Sequence, residues 1–229
     1  MLHPSSFPEV TGVGGTTFVE GTGSYWSSGN SARVPTALSY IPETVWNETP
    51  KGKLATSGGG ASMFFPKPSW QTGPGVPNVN ARLVPDVSFA ADWDHDPYIV
   101  LANDDTWDWG GTSAATPVFA GVLTILNQYL VNTGAQSKPG LGNINPRLYQ
   151  MAQTTSGVFH DITTGDNIVP CKIGTPDCTT GRYGYTATPG WDPVTGVGVP
   201  SDARRFIDAL VKADAVPPVK DVEGSSSSS

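Results

Sequence analysis

Basic charge is scarce in this chain. Thirteen Lys and Arg stand against twenty Asp and Glu in 229 residues, leaving a net charge of −7. Phosphates need a cationic footprint, so a nucleic-acid partner is disfavoured. Long apolar runs are missing too: no stretch of about 18 apolar residues occurs, and no segment is read as spanning a membrane. The opening MLHPSSFPEV has neither the basic region nor the apolar core of a signal peptide. Only Cys171 and Cys178 represent cysteine. Their spacing excludes a Cys-x₂-Cys metal knuckle. The turn-rich KIGTPD between them leaves two alternatives, a local disulfide or two free thiols. A disulfide would imply an oxidising compartment.

Turn-forming residues are plentiful, with 27 glycines and 21 prolines. That punctuation argues against a helical bundle. The chain is 38% hydrophobic, enough for a core and against wholesale disorder. Its length fits one large domain or a tightly joined pair. Glu9 to Phe18 reads as a turn and then a strand, and Ser57 to Gly60 as a loop where backbone approaches something closely. Val84 to Ala90 and Tyr98 to Ala102 read as buried strands. The clearest helix opens at Gly110-Gly-Thr-Ser-Ala-Ala-Thr-Pro117 and runs to about Leu130. Its body is apolar almost all round, which predicts a central buried helix, and Pro117 is expected in about its first turn. A second short helix starts at Asn145. Ser201 is the expected N-cap of a last one, with Ala203, Phe206, Ile207, Leu210 and Val211 as its apolar stripe. Strands mixed with a buried helix indicate an α/β fold. Residues 215–229 read as a flexible tail.

Ser113 is the leading candidate for chemistry. It stands where a glycine-rich turn meets an apolar helix, and the free N–H groups there can stabilise negative charge. The plain alternative is an N-capping serine. GGTSAATPVFAG around it resembles the nucleophile segment of the subtilisin-like clan, and within that clan the sedolisins, or serine-carboxyl peptidases. FPEVTGVGGT at 7–16, SGGGASMFFPKPSWQ at 57–71, RLVPDVS at 82–88, FHDITTGDN at 159–167 and PGWDPVTGVGVP at 189–200 resemble further motifs of that family, in order. The resemblance covers roughly residues 5–212 and implies that 1–214 is the C-terminal portion of a sedolisin-type peptidase domain. The implied fold is subtilisin-like, with a mostly parallel sheet and a buried central helix after the nucleophile.

The resemblance further implies that Ser113 attacks a peptide carbonyl while a Glu, oriented by an Asp, serves as base in acid. A protonated Asp donates to the oxyanion. In the family those three carboxyls precede the strand matched by 7–16, so none of them has a counterpart here. Glu9, Glu20, Glu43 and Glu48 fall in other motifs and are read as solvated surface. The expectation is therefore a peptidase whose isolated chain is inactive and whose partners are a peptide or protein substrate and an N-terminal half of the domain. The parent protein is expected to be secreted or extracellular. His3, His95 and His160 lie in no subtilisin-type histidine context.

The family also implies one calcium ion. Asp161 and Asp192 match its carboxylate ligands, and the backbone carbonyls of Ile162, Thr188 and Gly190 match the rest. The family usually has glycine where Thr188 stands. Asp92-Trp-Asp-His-Asp96 has the alternating carboxylates of an EF-hand, but Pro97 and Asn103 replace the glycine and glutamate that loop needs, so a solvated loop is expected. Trp107 and Trp109 line either a specificity pocket or the core. Two other readings are a catalytically inactive pseudo-peptidase or binding remnant, and a secreted calcium-stabilised binding module for carbohydrate, given seven tryptophans.

Overall fold

The computed structural model describes residues 3–27 and 36–214; the expected tail at 215–229 lies outside them. In chain order the described residues form strands β1 (Val13–Phe18), β2 (Glu43–Val45), β3 (Gly60–Ala61), β4 (Leu83–Val84), β5 (Val87–Ala90), β6 (Tyr98–Ala102) and β7 (Asp105–Trp109). Helices α1 (Thr112–Asn132) and α2 (Asn145–Thr154) follow. Strands β8 (Phe159–His160), β9 (Val169–Pro170), β10 (Arg182–Tyr183) and β11 (Val199–Pro200) precede helix α3 (Ala203–Asp214).

The fold is α/β, with a mixed central sheet in the order β2-β1-β5. β1 runs parallel to β5, with Val13 opposite Val87, and antiparallel to β2. The remaining strands pair antiparallel in twos. α1 packs on β1 and β5, and α3 on α2. Phe119, Leu126 and Leu130 of α1 meet Leu148 and Met151 of α2 and Phe206 and Leu210 of α3 around Val87, forming one apolar core. The first turn of α3 is capped by Asp202, whose Oδ1 accepts the Arg205 N–H at 2.8 Å. Ser201, the expected cap, donates instead to the Gly157 carbonyl. Asp is as good a cap as Ser, and the helix begins one residue later than expected.

Three expectations about burial need correction. α1 is buried along one face only: Ile125 is 69% exposed and Tyr129 47%. It is also long and apolar enough to cross a membrane by length and composition, which core helices commonly are. β6 is exposed rather than buried, with Leu101 at 74%. It pairs only with β7, a strand the sequence did not announce, and among the described residues this hairpin has no third strand. Trp107 and Trp109 of β7 are more than half exposed and line no core. Finally, Glu48 is fully buried and Glu43 half-buried, so neither is solvated surface, and Asp92 is 3% exposed. Asp92 Oδ1 accepts the N–H groups of Asp94 and His95, which makes the Asp92–Asp96 segment a capped turn.

A buried ion pair joins the layers. Arg82 and Asp86 are both fully buried, and the guanidinium forks onto the carboxylate at 2.8 and 2.6 Å. Asp86 also accepts the Gly12 N–H at 2.7 Å and the Tyr149 hydroxyl at 3.0 Å. Arg82 donates to the Val10 carbonyl and lies over the Trp70 ring. Segments from both sides of the sheet and from α2 thus converge on one pair of charges.

A second cluster is acidic. Thr16 donates to Glu43 at 2.6 Å, and Thr17 is shared between Asp92 and Asp96. Lys51 pairs with Glu48 and Asp92, and His95 with Asp96 and Glu20. Even so, Glu43 Oε2, Glu48 Oε2 and Asp96 Oδ2 are buried without a hydrogen-bond partner among the described residues. Burial pushes the Glu43 carboxyl up to about 7, and burial together with the Asp92 charge pushes Asp96 up to about 6.

Two stability outcomes follow. Asp86→Asn keeps the shape but leaves the guanidinium buried without a counter-charge, so urea unfolding should show a loss of about 3–5 kcal/mol. A loss below about 1 kcal/mol would mean that water reaches the pair. For the acidic cluster, the folded state holds protons that an unfolded carboxyl releases near pH 4. This stabilisation is complete in acid and is lost as pH rises through 6 to 7. Thermal unfolding should therefore show a falling Tm from about pH 5 to 8, with Glu43→Gln removing on the order of 2 kcal/mol of that dependence. A Tm that rises across this range would contradict the assignment.

Candidate active site

The turn before α1 is set by two glycines. Gly111 sits at φ 73°, ψ 170°, where a side chain would be strained. Its N–H bonds to the carbonyl of Ala91, just beyond β5, at 2.5 Å. Its carbonyl accepts the N–H groups of both Ala114 and Ala115, at 3.0 and 3.2 Å. The N–H groups of Thr112 and Ser113 precede these first helical bonds, and no side chain caps them. Ser113 is the second residue of the helix and not its N-cap; its side chain is exposed. Among the described residues its hydroxyl has no hydrogen-bond partner. Pro117 is the sixth helical residue, one turn later than expected, and its missing N–H leaves the Ser113 carbonyl without its usual helical partner.

Ser113 lies at the junction of two hollows. The larger, about 690 Å³, is lined by His3, Thr11, Gly12, Gly59 and Pro85 among others, and ends at Ser113 and Pro117. Gly59 is required there: a Cβ would stand 1.8 Å from the Pro193 carbonyl oxygen, so the expected close approach in the SGGG segment is present. The smaller hollow, about 450 Å³, lies over Gly110–Ser113 between Trp46, Trp93 and Val169. Among the described residues no Asp or Glu lines either one. His3 is the ionisable side chain in the larger hollow, a placement its terminal position did not suggest. His95 sits in the acidic cluster, and His160 stacks on Tyr40 with ring centroids 3.5 Å apart.

The residues expected to hold calcium come together where the segment after β8 meets the segment 188–192 before β11. Asp161 Oδ2 accepts the Gly190 N–H at 2.8 Å, and Asp192 Oδ2 accepts the Thr188 N–H at 3.2 Å. Gly190 has φ 80°, a conformation suited to glycine. Asp192 is fully buried and has no ion-pair partner among the described residues. The carbonyls of Ile162, Thr188 and Gly190 accept no hydrogen bond among them either. Two carboxylates and three carbonyls make an all-oxygen donor set, the kind calcium takes. Among the described residues no three His, Cys, Asp or Glu side chains gather as a metal cluster.

Cys171 and Cys178 are joined in a disulfide, with Cα atoms 6.0 Å apart. It closes the loop that leaves β9, and the Cys171 N–H bonds to Gly181 O at 2.9 Å, which ties that loop to the approach to β10. Of the residues around Ser113, the sequence reading missed Trp46, Trp93 and the β9 pair Val169–Pro170. Their separation along the chain, from 46 to 170, hides them; only a run such as Thr44-Val-Trp-Asn47 hinted at local burial.

No family model matches the chain. Its similarity to individual proteins is extensive. Physarolisin of Physarum polycephalum is 38% identical over 228 residues, covering 91% of this chain and 37% of the relative. Kumamolisin of Bacillus sp. (strain MN-32) is 38% identical over 221 residues, 94% of this chain and 33% of the relative. Human tripeptidyl-peptidase 1 is 36% identical over 213 residues, 86% and 31%. Among solved structures, Pseudomonas sedolisin, a serine-carboxyl proteinase complexed with pseudo-iodotyrostatin, superposes with a TM-score of 0.65 at 32% identity. It is matched over 93% of this chain and 49% of its own. The chain thus spans about a third of the length of the curated relatives and half that of the solved one. With its motifs in order and its fold shared with a subtilisin-like neighbour, the chain belongs to the sedolisin family of serine-carboxyl peptidases.

Proposed function

We propose that Ser113 is the nucleophile of an acid-active serine-carboxyl peptidase that hydrolyses peptide bonds in peptide or protein substrates. The observation that carries this is the exposed, unpartnered Ser113 hydroxyl at the head of α1, where two hollows meet and unpaired N–H groups lie alongside. Attack on a carbonyl needs a base for the hydroxyl proton and donors for the oxyanion. The N–H of Ser113 and its neighbour suit the second task. For the first, no carboxylate among the described residues lines either hollow. The Glu–Asp pair and the oxyanion Asp come from polypeptide outside this chain, an N-terminal half that also covers the open face of α1. The isolated chain is accordingly inactive. The parent protein is secreted or extracellular, in keeping with the Cys171–Cys178 disulfide.

Calcium is the proposed cofactor, held by the Asp161 and Asp192 carboxylates and the carbonyls of Ile162, Thr188 and Gly190. Bound there, it would supply charge compensation and cross-linking of loops, with no part in the hydrolytic step. The buried Asp192 carboxylate would gain the counter-charge it otherwise lacks. A pseudo-peptidase or binding remnant is the second reading, favoured by the missing acceptor for the Ser113 hydroxyl. The carbohydrate-binding module has less support, because the long helix α1 and the helical core it shares with α2 and α3 are not those of an all-β module.

Two experiments test these readings. The chain alone should not cleave peptides at acid pH; mixed with the N-terminal half of the domain it should, and Ser113→Ala should lower that rate by about 10³-fold or more. Hydrolysis that survives Ser113→Ala sinks the assignment, and a mixture in which Ser113 stays unlabelled by an acylating probe favours the pseudo-peptidase. In calorimetry one calcium ion should bind, and a hundredfold excess over Kd should add about 2.7 kcal/mol of stability. Asp161→Asn should weaken binding by roughly tenfold or more. An unchanged Tm between calcium and chelator would remove the metal from the proposal.

A further inference from the structure

A third hollow lies away from the serine turn and is walled by aromatic rings. Its volume is about 270 Å³, and it shares no lining residue with the two hollows that meet at Ser113. Five rings line it: Phe18 of β1, Trp26, Tyr40, Phe89 of β5 and Tyr98 of β6. Glu43 of β2 stands among them and is the charged residue of the lining. The rings are braced from several sides. Phe18 and Trp26 meet with centroids 6.3 Å apart and planes at 58°. Tyr40 is stacked on His160 of β8, and Phe89 packs on Phe119 of α1 at 5.4 Å.

Glu43 is the unusual member of this wall. Its Oε1 accepts the Thr16 hydroxyl at 2.6 Å, but its Oε2 is buried without a hydrogen-bond partner among the described residues. No Lys, Arg or His among them pairs with this carboxylate. The other titratable groups beside it are Asp96, Tyr40 and Tyr98. Burial and the neighbouring carboxylates push both tyrosine hydroxyls up, so they stay neutral. His160, against Tyr40, is held toward its neutral form by burial and by the Arg205 charge. None of these groups supplies the positive charge that a buried carboxylate needs.

We propose that this hollow binds a small methylated ammonium ion, with the rings giving cation–π contacts and Glu43 the counter-charge. A metal ion is not suited, because rings offer it no oxygen ligands. A neutral apolar ligand would leave the carboxylate as uncompensated as before. A bare ammonium brings three N–H donors, and a wall of rings offers few acceptors for them. Methyl groups remove that demand and pack against the rings. The volume is a little below the ~300–1,000 Å³ of sites for larger organic ligands, in proportion to such an ion. Asp96 beside Glu43 and the net charge of −7 favour the approach of a cation.

Choline is the probe. It is titrated into the chain at pH 8 beside its uncharged tert-butyl isostere and beside ethanolamine, with the Trp26 indole N–H signal followed by NMR. Choline should bind roughly tenfold more tightly than either and should move the Trp26 signal. Trp26→Ala, at a partly exposed position outside the apolar core, should weaken choline roughly tenfold. Glu43→Gln should bring choline within about twofold of the isostere. Acid reads the same loss in the unaltered chain: Glu43, which burial pushes up to about 7, takes up a proton between pH 8 and 5 and the preference for choline should fall. Asp96, pushed up to about 6, titrates in the same range, so the pH profile should flatten in Glu43→Gln if Glu43 is the counter-charge. No binding of choline, equal binding of the isostere or of ethanolamine, an affinity untouched by Trp26→Ala, or a preference untouched by acid overturns the proposal.

Discussion

The buried Arg82–Asp86 pair is the constraint on which the geometry of this chain depends. Its partners are the Gly12 N–H and Val10 carbonyl on the approach to β1, the Tyr149 hydroxyl of α2, and the segment leading from β4 into β5. Gln71 extends the network, bonding to both the Tyr149 hydroxyl and the Leu83 carbonyl at 2.7 Å. Charges removed from water must find their full set of partners, and there is one arrangement of β1 beside β5 that supplies them. That parallel register places Ala91 directly beyond β5, and Ala91 O holds the Gly111 N–H. The serine turn is thus two steps removed from the ion pair: charge fixes register, and register fixes the turn.

The open surfaces are explained by composition rather than by weak packing. α1 spends its larger apolar residues, Phe119, Leu126 and Leu130, on the inner face and still carries Ile125 and Tyr129 outside. The β6–β7 hairpin likewise shows apolar residues on both sides. A helix apolar all round is built to be covered on all sides.

Much of this was legible in the sequence, and the failures have physical reasons. Gly111, Ser113 and the apolar run after them specify a helix start with little competition, and Asn145-Pro146 marks α2 as plainly. Asp161 and Asp192 were named only through the family resemblance: Asp192 caps its own turn, but Asp161 meets the Gly190 N–H across 29 positions, a contact no local pattern encodes. Tyr98 to Ala102 misled because an apolar run reports what a strand prefers, not whether anything arrives to cover it. Glu48 misled for the opposite reason: a carboxylate next to Asn47 and Thr49 looks solvated until Lys51 and Asp92 close over it. The walls of the smaller hollow come from places more than a hundred residues apart, from Trp46 to Pro170, and no local pattern encodes such a meeting.

Pro117 has a mechanical consequence. Because it cannot donate, the coil of helix bearing the serine is fastened to the rod above by one strap fewer than usual. Its aim is inherited from below, through Gly111 and Ala91. That hold, from the edge of the sheet to the glycine just before the helix, sets where the hydroxyl emerges.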